Sequence, residues 1–284
     1  MNRKKPFSEN ASIGVFDSGL GGLTVVRKLR QELPAERIVY FGDLARLPYG
    51  SKSDEQIREF SVQNTEFLLR RKVKAVVIAC NSSASAAFWF LKGRYKIPII
   101  DVMQPAAREA AKTTRNQRIG VIGTQATISS RAYERAIAQA NPNAQVFTAA
   151  CPLLVPIVEE GILKGELVEM VLKRYLKPLL KHRVDTLVLG CTHYPLLRSA
   201  IQKVAGPKVR LIDSAPPAVR ELKRVLEERR AFRAKKDGGE LEVFASDFSK
   251  RFFEVAKRFL GHRLKRVKLV RFKGEVVEEG KWVV

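Results

Sequence analysis

Two cysteines are the residues of this sequence whose type and position best suit a chemical role. Cys80 ends the apolar run Val76–Ala79, Cys191 ends the run Leu187–Gly190, and polar residues follow each thiol at once. A lone buried cysteine usually acts as a small hydrophobic side chain, but polar flanks at a strand end indicate a polar pocket. A cysteine, with an ordinary pKa of about 8.5, can serve as an acid or as a base. Two thiols that face each other across a ligand could therefore take a proton from one face of a carbon and deliver one to the other, which inverts that carbon.

The residues that follow the two thiols leave other chemistries open. A helix predicted to begin after Ser82 or Ser83 would point its amide groups at the first pocket and favour a thiolate or an anionic ligand. Cys80, Cys191 and His193 could instead supply three zinc ligands, although the paired spacings of common zinc sites are missing. Because His193 is two residues from Cys191, the pair could also form the nucleophile and base of an acyl-transfer enzyme.

A glycine-rich turn, Asp17–Gly22, follows the first apolar run and precedes a predicted helix. Glycines permit close backbone approach and a helix N-terminus attracts an anion, so the turn suits a carboxylate as well as a phosphate. It lacks the GxGxxG pattern of dinucleotide-binding proteins. Asp17 is either a simple helix N-cap or a carboxylate that orients Cys80 or a substrate amine.

Two further polar segments and the third cysteine have ordinary structural interpretations. Pro48–Ser51 is typical of a turn before a helix that starts near Asp54, and its functional interpretation is a loop that holds a substrate. Glu159–Gly161 fits the polar end of a helix. Cys151 precedes a proline within an apolar stretch, and we interpret it as structural.

Short apolar runs alternate with longer helical patterns, which predicts an α/β fold with mainly parallel sheets. The runs are rich in valine and isoleucine, as expected for strands covered on both faces. The predicted strands are Ile13–Phe16, Ile38–Phe41, Ala75–Ala79, Ile97–Val102, Arg118–Ile122, Ala144–Ala149, Thr186–Leu189, Val209–Ile212 and Glu240–Ala245. The predicted helices are Leu23–Glu32, Asp54–Lys72, Ser83–Arg94, Ser129–Ala140, Leu163–His182, Pro217–Arg230 and Phe248–Leu260.

The chain contains a similar layout twice. Ile13–Gly19 resembles Ile119–Thr124, since in each a strand runs into a small, hydroxyl-bearing turn. Val76–Ser82 resembles Leu187–His193, since in each a strand ends at a cysteine. Two similar α/β units would each place one cysteine at the carboxyl end of a strand, where open α/β sheets bind ligands.

Composition and charge limit the class of protein. The 284 residues suit one large or two modest domains, and no apolar run reaches the roughly 18 residues of a membrane span. Met1–Ser12 lacks the apolar stretch of a signal peptide, and three widely spaced cysteines do not form a disulfide framework, so we expect a cytoplasmic protein. The formal net charge of +23 raises the alternative of nucleic-acid binding. Because the basic residues are dispersed and carry no nucleic-acid-binding signature, we expect a solvated basic surface and at most non-specific binding.

Together these residues resemble the glutamate racemase family. The matching stretches occur in order and cover most of the chain from Ile13 to Ala215. They are FDSGLGGLTV (Phe16–Val25), GDLARLPYGSKS (Gly42–Ser53), VVIACNSSASA (Val76–Ala86), IGVIGTQATI (Ile119–Ile128), CPLLVPIVEEG (Cys151–Gly161), LVLGCTHYPLL (Leu187–Leu197) and LIDSA (Leu211–Ala215). Each stretch alone is modest evidence, whereas their order makes the resemblance specific.

The resemblance implies two α/β domains related by a pseudo-twofold axis, with the active site at their interface. The chain would cross twice, so that residues 1–103 with 215–284 form one domain and residues 104–214 the other. It implies an isomerase that interconverts L- and D-glutamate without pyridoxal phosphate or a metal ion and supplies D-glutamate for peptidoglycan. It also implies a homodimer. An aspartate or hydantoin racemase of the same architecture is the alternative within this superfamily.

The resemblance also assigns roles to residues. Cys80 would act on D-glutamate and Cys191 on L-glutamate, assisted by Asp17 and His193 respectively. Glu159 and Asp43 match other acidic residues near the site, and Glu159 completes the expected catalytic set. The expected substrate-binding residues are Asp17, Ser18, Tyr49, Gly50, Asn81, Ser82, Thr192 and His193.

Two positions depart from the usual family pattern. Ser82 stands where threonine is usual, and it keeps the hydroxyl group, so we expect binding to survive. Leu44 stands where a small or hydroxyl-bearing residue is usual, and we expect no loss of chemistry from it.

Overall fold

Two β-sheets organise the chain in the computed structural model, which describes residues 8–235, 238–273 and 276–284. The strands are β1 (Ile13–Asp17), β2 (Ile38–Gly42), β3 (Ala75–Ile78), β4 (Ile99–Asp101), β5 (Arg118–Gly123), β6 (Gln145–Ala150), β7 (Thr186–Gly190), β8 (Arg210–Asp213), β9 (Leu241–Ala245), β10 (Val267–Lys273) and β11 (Val276–Val283). The larger sheet has the order β11-β10-β9-β2-β1-β3-β4 and the smaller has the order β6-β5-β7-β8. Every pairing is parallel except that of β10 with β11. The prediction of an α/β fold with mainly parallel sheets is therefore confirmed.

The two sheets repeat one strand order. The order β2-β1-β3-β4 in the larger sheet corresponds to β6-β5-β7-β8 in the smaller one. This agrees with the two similar layouts in the sequence. In each sheet the first strand of the unit pairs with the strand that ends at a cysteine.

Helices cover the sheets. They are α1 (Leu23–Glu32), α2 (Asp54–Arg70), α3 (Asn81–Arg94), α4 (Met103–Thr113), α5 (Gln125–Ser129), α6 (Ala132–Ala140), α7 (Leu154–Glu159), α8 (Glu166–Lys181), α9 (Arg198–Ala205), α10 (Ala215–Glu228) and α11 (Phe252–Leu260). Helix α2 packs on α3, and α1 packs on α10 and α11. Every residue of β1, β3 and β7 is buried. Because successive side chains of a strand point to opposite faces, both faces of these strands are covered.

Several predicted elements need correction. The helix predicted after Ser82 or Ser83 begins at Asn81. The helix predicted over 129–140 is two helices, because Arg131 has a left-handed backbone with φ of 54°. Helices α4 and α9 and the hairpin of β10 and β11 were not predicted, and of α7 only the polar end at Glu159 was indicated. The prolines in α4 and α7 mask helical periodicity, and the many charges after residue 250 suggested only a solvated surface.

The structure bears on the membrane prediction in one respect. Over residues 8–235, 238–273 and 276–284, no helix combines the length and hydrophobicity that crossing a bilayer requires. The segment Met1–Phe7, which entered the prediction of cellular location, lies outside the described residues.

Candidate functional site

Four strand ends define the candidate site. Ser18 follows β1 and Cys80 comes shortly after β3, while Thr124 follows β5 and Cys191 follows β7. In each sheet these two strands are neighbours, and the chain proceeds from them in opposite directions across the sheet. Such a switch point leaves a crevice at the carboxyl ends of the strands, which is where α/β proteins bind ligands.

A single cavity of about 330 Å³ contains both thiols. The predicted site residues that line it are Ser18, Tyr49, Gly50, Cys80, Asn81, Ser82, Glu159, Cys191, Thr192 and His193. Apolar groups from Leu47, Pro152 and Val155 complete much of the wall. Asp17 and Asp43, by contrast, are fully buried beside the cavity and act on it through other residues.

Cys80 occupies the N-cap position of α3, with extended φ and ψ of −72° and 121°. Its thiol donates to Ser18 Oγ at 3.5 Å. Burial raises the pKa of the Cys80 thiol to about 11, and the neighbouring Asp17 carboxylate adds to the rise. The hydrogen-bonding groups of Ser83 and Ser18 oppose the rise only in part. Cys80 is therefore held as a neutral thiol at neutral pH.

Asp17 is not the N-cap that one interpretation of the sequence predicted. Helix α1 begins at Leu23 with Gly22 as its N-cap, and the Asp17 Oδ2 atom accepts from the amides of Gly19 at 3.1 Å and Gly22 at 3.0 Å. Its Oδ1 atom is buried and has no hydrogen-bond partner among the described residues. Burial raises the pKa of Asp17, although His193 and the loop amides oppose the rise.

Cys191 lies beside a histidine that is itself paired with a carboxylate. The Nδ1 atom of His193 lies 3.8 Å from Cys191 Sγ, and its Nε2 atom lies 3.2 Å from Glu159 Oε1. Burial alone lowers the pKa of His193, but the hydrogen bonds to Cys191 and Glu159 outweigh it and raise the pKa to about 10. The geometry thus places a protonated imidazole in contact with the Cys191 sulfur.

Gly21 brings the glycine-rich turn against the Cys191 side of the cavity. A Cβ atom added at Gly21 would overlap Thr192 Oγ1 and lie 2.6 Å from His193 Nδ1. The hydroxyl of Thr24 also donates to the carbonyl of Thr192 at 3.4 Å. The turn thus packs on a loop of the smaller sheet, and this close approach requires a residue without a side chain.

The first turn of α3 presents polar groups to the cavity. Tyr133 donates to Asn81 Oδ1 at 2.7 Å, which orients the amide. The Nδ2 atom of Asn81 is buried and finds no acceptor among the residues described, so it is a free donor for a ligand. Ser82 Oγ lies 2.9 Å from Thr124 Oγ1, so the two halves of the site also meet here.

Tyr49 lines the cavity with its ring while its hydroxyl is used elsewhere. The hydroxyl donates to Asp43 Oδ2 and accepts from Asn64 Nδ2 at 3.2 Å. Asp43 also accepts from Arg46 at 2.6 Å and from the hydroxyl of Ser246 at 2.9 Å. Asp43 thereby anchors the loop of Tyr49 and does not reach the cavity itself.

Sequence reasoning did not select Thr124 or Tyr133. Thr124 lines the cavity and is the N-cap of α5, accepting from the Thr127 amide at 3.2 Å. The internal repeat was a usable signal, because it aligns the turn of Ser18 with that of Thr124. No sequence signal points to Tyr133, because its hydrogen bond to Asn81 joins two helices, α6 and α3, that are far apart along the chain.

The zinc alternative needs three donors in one place. Within the part of the chain that the structure describes, no group of three or more histidine, cysteine, aspartate or glutamate side chains is arranged to hold a metal ion. Two members of the proposed set, Cys191 and His193, are instead in contact with each other.

Comparison with known proteins agrees with this geometry. Residues 13–222 match the Asp/Glu/Hydantoin racemase family. A glutamate racemase of Syntrophus aciditrophicus is 45% identical over 271 residues, which cover 95% of this chain and 100% of that protein. One of Neisseria meningitidis is 46% identical over 259 residues, covering 91% and 96%. The crystal structure of Francisella tularensis glutamate racemase in complex with D-glutamate superposes with a TM-score of 0.87 at 38% identity, covering 92% and 98%. The chain therefore belongs to the Asp/Glu/hydantoin racemase family of isomerases.

Proposed function

We propose that this protein interconverts L- and D-glutamate, with Cys80 and Cys191 as opposed acid and base and without a cofactor. The observation that carries the proposal is that one cavity contains both thiols, each at a corresponding strand end of two sheets with the same strand order. Inversion at carbon needs one group to remove a proton and another to deliver one. Residues of one type on opposite sides can exchange these roles when the direction of reaction reverses.

The surroundings of the two thiols support a division of labour. Burial and Asp17 raise the pKa of Cys80 to about 11, which keeps its proton in place. The His193 imidazolium lies 3.8 Å from Cys191 Sγ, where it can stabilise negative charge on that sulfur during the reaction. We propose that Cys80 begins as the acid and Cys191 as the base. The family resemblance assigns Cys191 to L-glutamate, so this state accepts the L-enantiomer, and turnover leaves the protonation state that accepts the D-enantiomer.

Removal of the α-proton also requires support for negative charge. We propose that the amides at the N-terminus of α3 and the Asn81 Nδ2 donor, which has no acceptor among the described residues, bind the carboxylate of the substrate. We propose that the apolar wall that includes Val155 limits the access of water once substrate is bound, which strengthens these interactions. We propose that Ser18, Tyr49, Gly50, Ser82 and Thr192 complete the substrate contacts.

Glutamate is the proposed substrate because relatives that are 45% and 46% identical over nearly the whole chain are named glutamate racemases. Aspartate is the alternative substrate, and it differs by one methylene. Direct comparison of the two amino acids decides between them.

A hydrolase is the second candidate that a specific observation favours. His193 contacts Cys191 through one ring nitrogen and Glu159 through the other. These three residues could act as a base, a nucleophile and an orienting carboxylate respectively. In that mechanism Cys80 has no chemical role. Retention of activity after removal of the Cys80 thiol would favour hydrolysis over racemisation.

The setting of the reaction is also a proposal. We propose that each sheet is the centre of one domain, with residues 1–103 and 215–284 in one and 104–214 in the other, since β9–β11 join the sheet of β1–β4. We further propose a homodimer that makes D-glutamate for peptidoglycan in the cytoplasm, where thiols stay reduced. Light scattering of the purified protein tests the dimer.

The decisive experiment follows the α-proton by NMR in deuterated water, with purified protein and no added cofactor. L-glutamate, D-glutamate, L-aspartate and D-aspartate are supplied separately. Exchange of the α-proton with loss of optical activity for glutamate alone is the expected result. Exchange with aspartate alone would redirect the substrate assignment, and absence of exchange with all four would contradict the proposed function.

A further inference from the structure

Helix α11 packs directly behind the His193 side of the site, although it lies far away in sequence. The ring of Phe259 meets the His193 imidazole edge-on, with centroids 4.9 Å apart and planes at 76°. Phe259 is fully buried. The larger sheet, which supplies Cys80, is associated with α11 through α1. Helix α11, which is associated with the sheet that supplies Cys80, therefore packs against the His193–Glu159 pair beside Cys191.

Arg258, the residue before Phe259, contacts the backbone of Glu159, which is the carboxylate partner of His193. Arg258 Nη1 donates to the backbone carbonyl of Glu159 at 2.9 Å and to that of Val158 at 3.3 Å, across a separation of 99 residues for the first. Both carbonyls belong to the last turn of α7. Helix C-terminal carbonyls lack intrahelical donors and carry partial negative charge, so a guanidinium there is favourable.

Two neighbours hold the guanidinium in this position. Glu254 lies one turn earlier on α11, and its Oε1 atom accepts from Arg258 Nη2 at 2.9 Å. Gly161 follows α7 with a left-handed φ of 79°, and a Cβ atom there would lie 2.6 Å from Arg258 Nη2. Glycine is therefore required at 161 both for the backbone conformation and for the approach of Arg258.

We propose that Arg258 is a positioning residue, which holds the backbone at Glu159 so that the Glu159 carboxylate stays on His193 Nε2. The inference deepens the proposed function and rests on it for its catalytic consequence. Glu159 is the last residue of α7, and its carboxylate is partly exposed, so its own packing does not fix it in place. A carboxylate held at Nε2 keeps the imidazole oriented, with Nδ1 toward the Cys191 thiol.

The test compares Arg258→Gln, Arg258→Lys and Gly161→Ala with the wild-type protein. Lys257→Gln is the matched control, because Lys257 is the preceding basic residue of α11 and is exposed. The first readout is an NMR titration of isotope-labelled histidine. The chain has three histidines, and His182 and His262 serve as internal references outside the site. The groups that titrate or carry charge around His193 are Cys191, Glu159 and Asp17, with the Arg258 guanidinium behind Glu159.

We expect Arg258→Gln to lower the pKa of His193, because the weaker contact with Glu159 outweighs the loss of the more distant guanidinium charge, while the spectra of His182 and His262 stay as in wild type. We expect kcat for glutamate to fall about tenfold with a smaller change in KM, because the loss concerns alignment and not binding. Arg258→Lys keeps a positive donor and should give an intermediate effect. Gly161→Ala should act in the same direction as Arg258→Gln by displacing the guanidinium, and Lys257→Gln should match wild type.

Two results would overturn the inference. One is a folded Arg258→Gln protein in which the pKa of His193 and kcat are unchanged. The other is a joint shift of all three histidines with loss of cooperative thermal unfolding, which would show a general structural role. If Arg258→Gln does not fold, Arg258→Lys and Gly161→Ala are judged by the same titration. Because that titration needs no turnover, it tests Arg258 even if the wild-type protein fails to racemise glutamate, which would contradict the proposed function separately.

Discussion

The Nδ1 atom of His193 lies 3.8 Å from the Sγ atom of Cys191, whereas Cys80 neighbours the carboxylate of Asp17. The two thiols of one cavity therefore occupy electrostatic environments of opposite sign. A cationic neighbour lowers the proton affinity of a thiol and an anionic neighbour raises it. The proposed division of the two cysteines into a base and an acid rests on this difference.

Replacing His193 by glutamine should slow racemisation about a hundredfold at pH 7 to 8, because the imidazolium in contact with the Cys191 sulfur is lost. The shape of the pH dependence should also change, since the raised pKa of His193 no longer contributes to it. The pH profile of kcat/KM checks this. A profile of unchanged shape and height would contradict the assigned role of His193.

The same substitution should alter the pH dependence of stability. Folding raises the pKa of His193 from 6.5 to about 10, so the folded protein binds this proton more tightly across that window. This contribution to the free energy of unfolding is fully present below pH 6.5 and is lost as pH rises through 10. Urea unfolding at pH 6.5 and pH 10 measures the free energy of unfolding at each value. The decrease in that free energy between the two pH values should be smaller for the glutamine variant than for wild type.

Cys80→Ala and Cys191→Ala should each abolish racemisation, with a loss of at least about a thousandfold. Any remaining α-proton exchange is expected for L-glutamate in Cys80→Ala and for D-glutamate in Cys191→Ala, since each keeps one base. Cys151→Ala is the control: burial raises the pKa of that thiol to about 12, and it lies outside the cavity lining. Near-normal turnover in either of the first two variants would refute the two-base mechanism.

Gly21→Ala should reduce kcat about a hundredfold, because the added methyl group would force Thr192 and His193 away from the glycine-rich turn. Gly93→Ala is the matched control. A methyl group at Gly93 meets no other atom within 4 Å, and the helical position should gain about 0.5 to 1 kcal/mol of stability. Steady-state kinetics and thermal melts of both variants measure these effects on kcat and on stability. Equal activity of the two variants would show that the close contact at Gly21 is unimportant for catalysis.

Asp101→Asn should stabilise the protein at pH 8 by about 1 to 2 kcal/mol. Burial raises the pKa of Asp101 from 3.8 to about 7, so the folded state holds this proton more tightly than the unfolded chain between those values. The protein therefore loses stability as pH rises through that window, and the penalty is complete above pH 7. Asparagine keeps an oxygen that can accept from the backbone amide of Gln104, as Asp101 Oδ1 does at 2.9 Å. A stability gain at pH 8 that is absent at pH 4 is the expected signature, and equal effects at both values would contradict it.

Local sequence patterns were sufficient for the framework of the site. The predicted strands that precede Ser18, Cys80 and Cys191 are present within a residue or two, because a fully buried parallel strand leaves an unmistakable run of branched apolar residues. The repeat of these runs also indicated that both cysteines stand at corresponding strand ends. Charge-rich strands such as β11 lack that signal, since its position at the edge of the sheet tolerates the polar residues that hide it.

The sequence by itself thus determined the α/β class, the repeated layout and the two thiols, because these depend on short stretches of chain and on burial. Only the tertiary structure decided which distant groups meet: Glu159 with His193, Ser82 with Thr124, and Arg258 with the end of α7. Those contacts join segments 34, 42 and 99 residues apart. Their geometry depends on how helices and loops of the two sheets pack against each other, and hydrophobic periodicity carries no information about that packing.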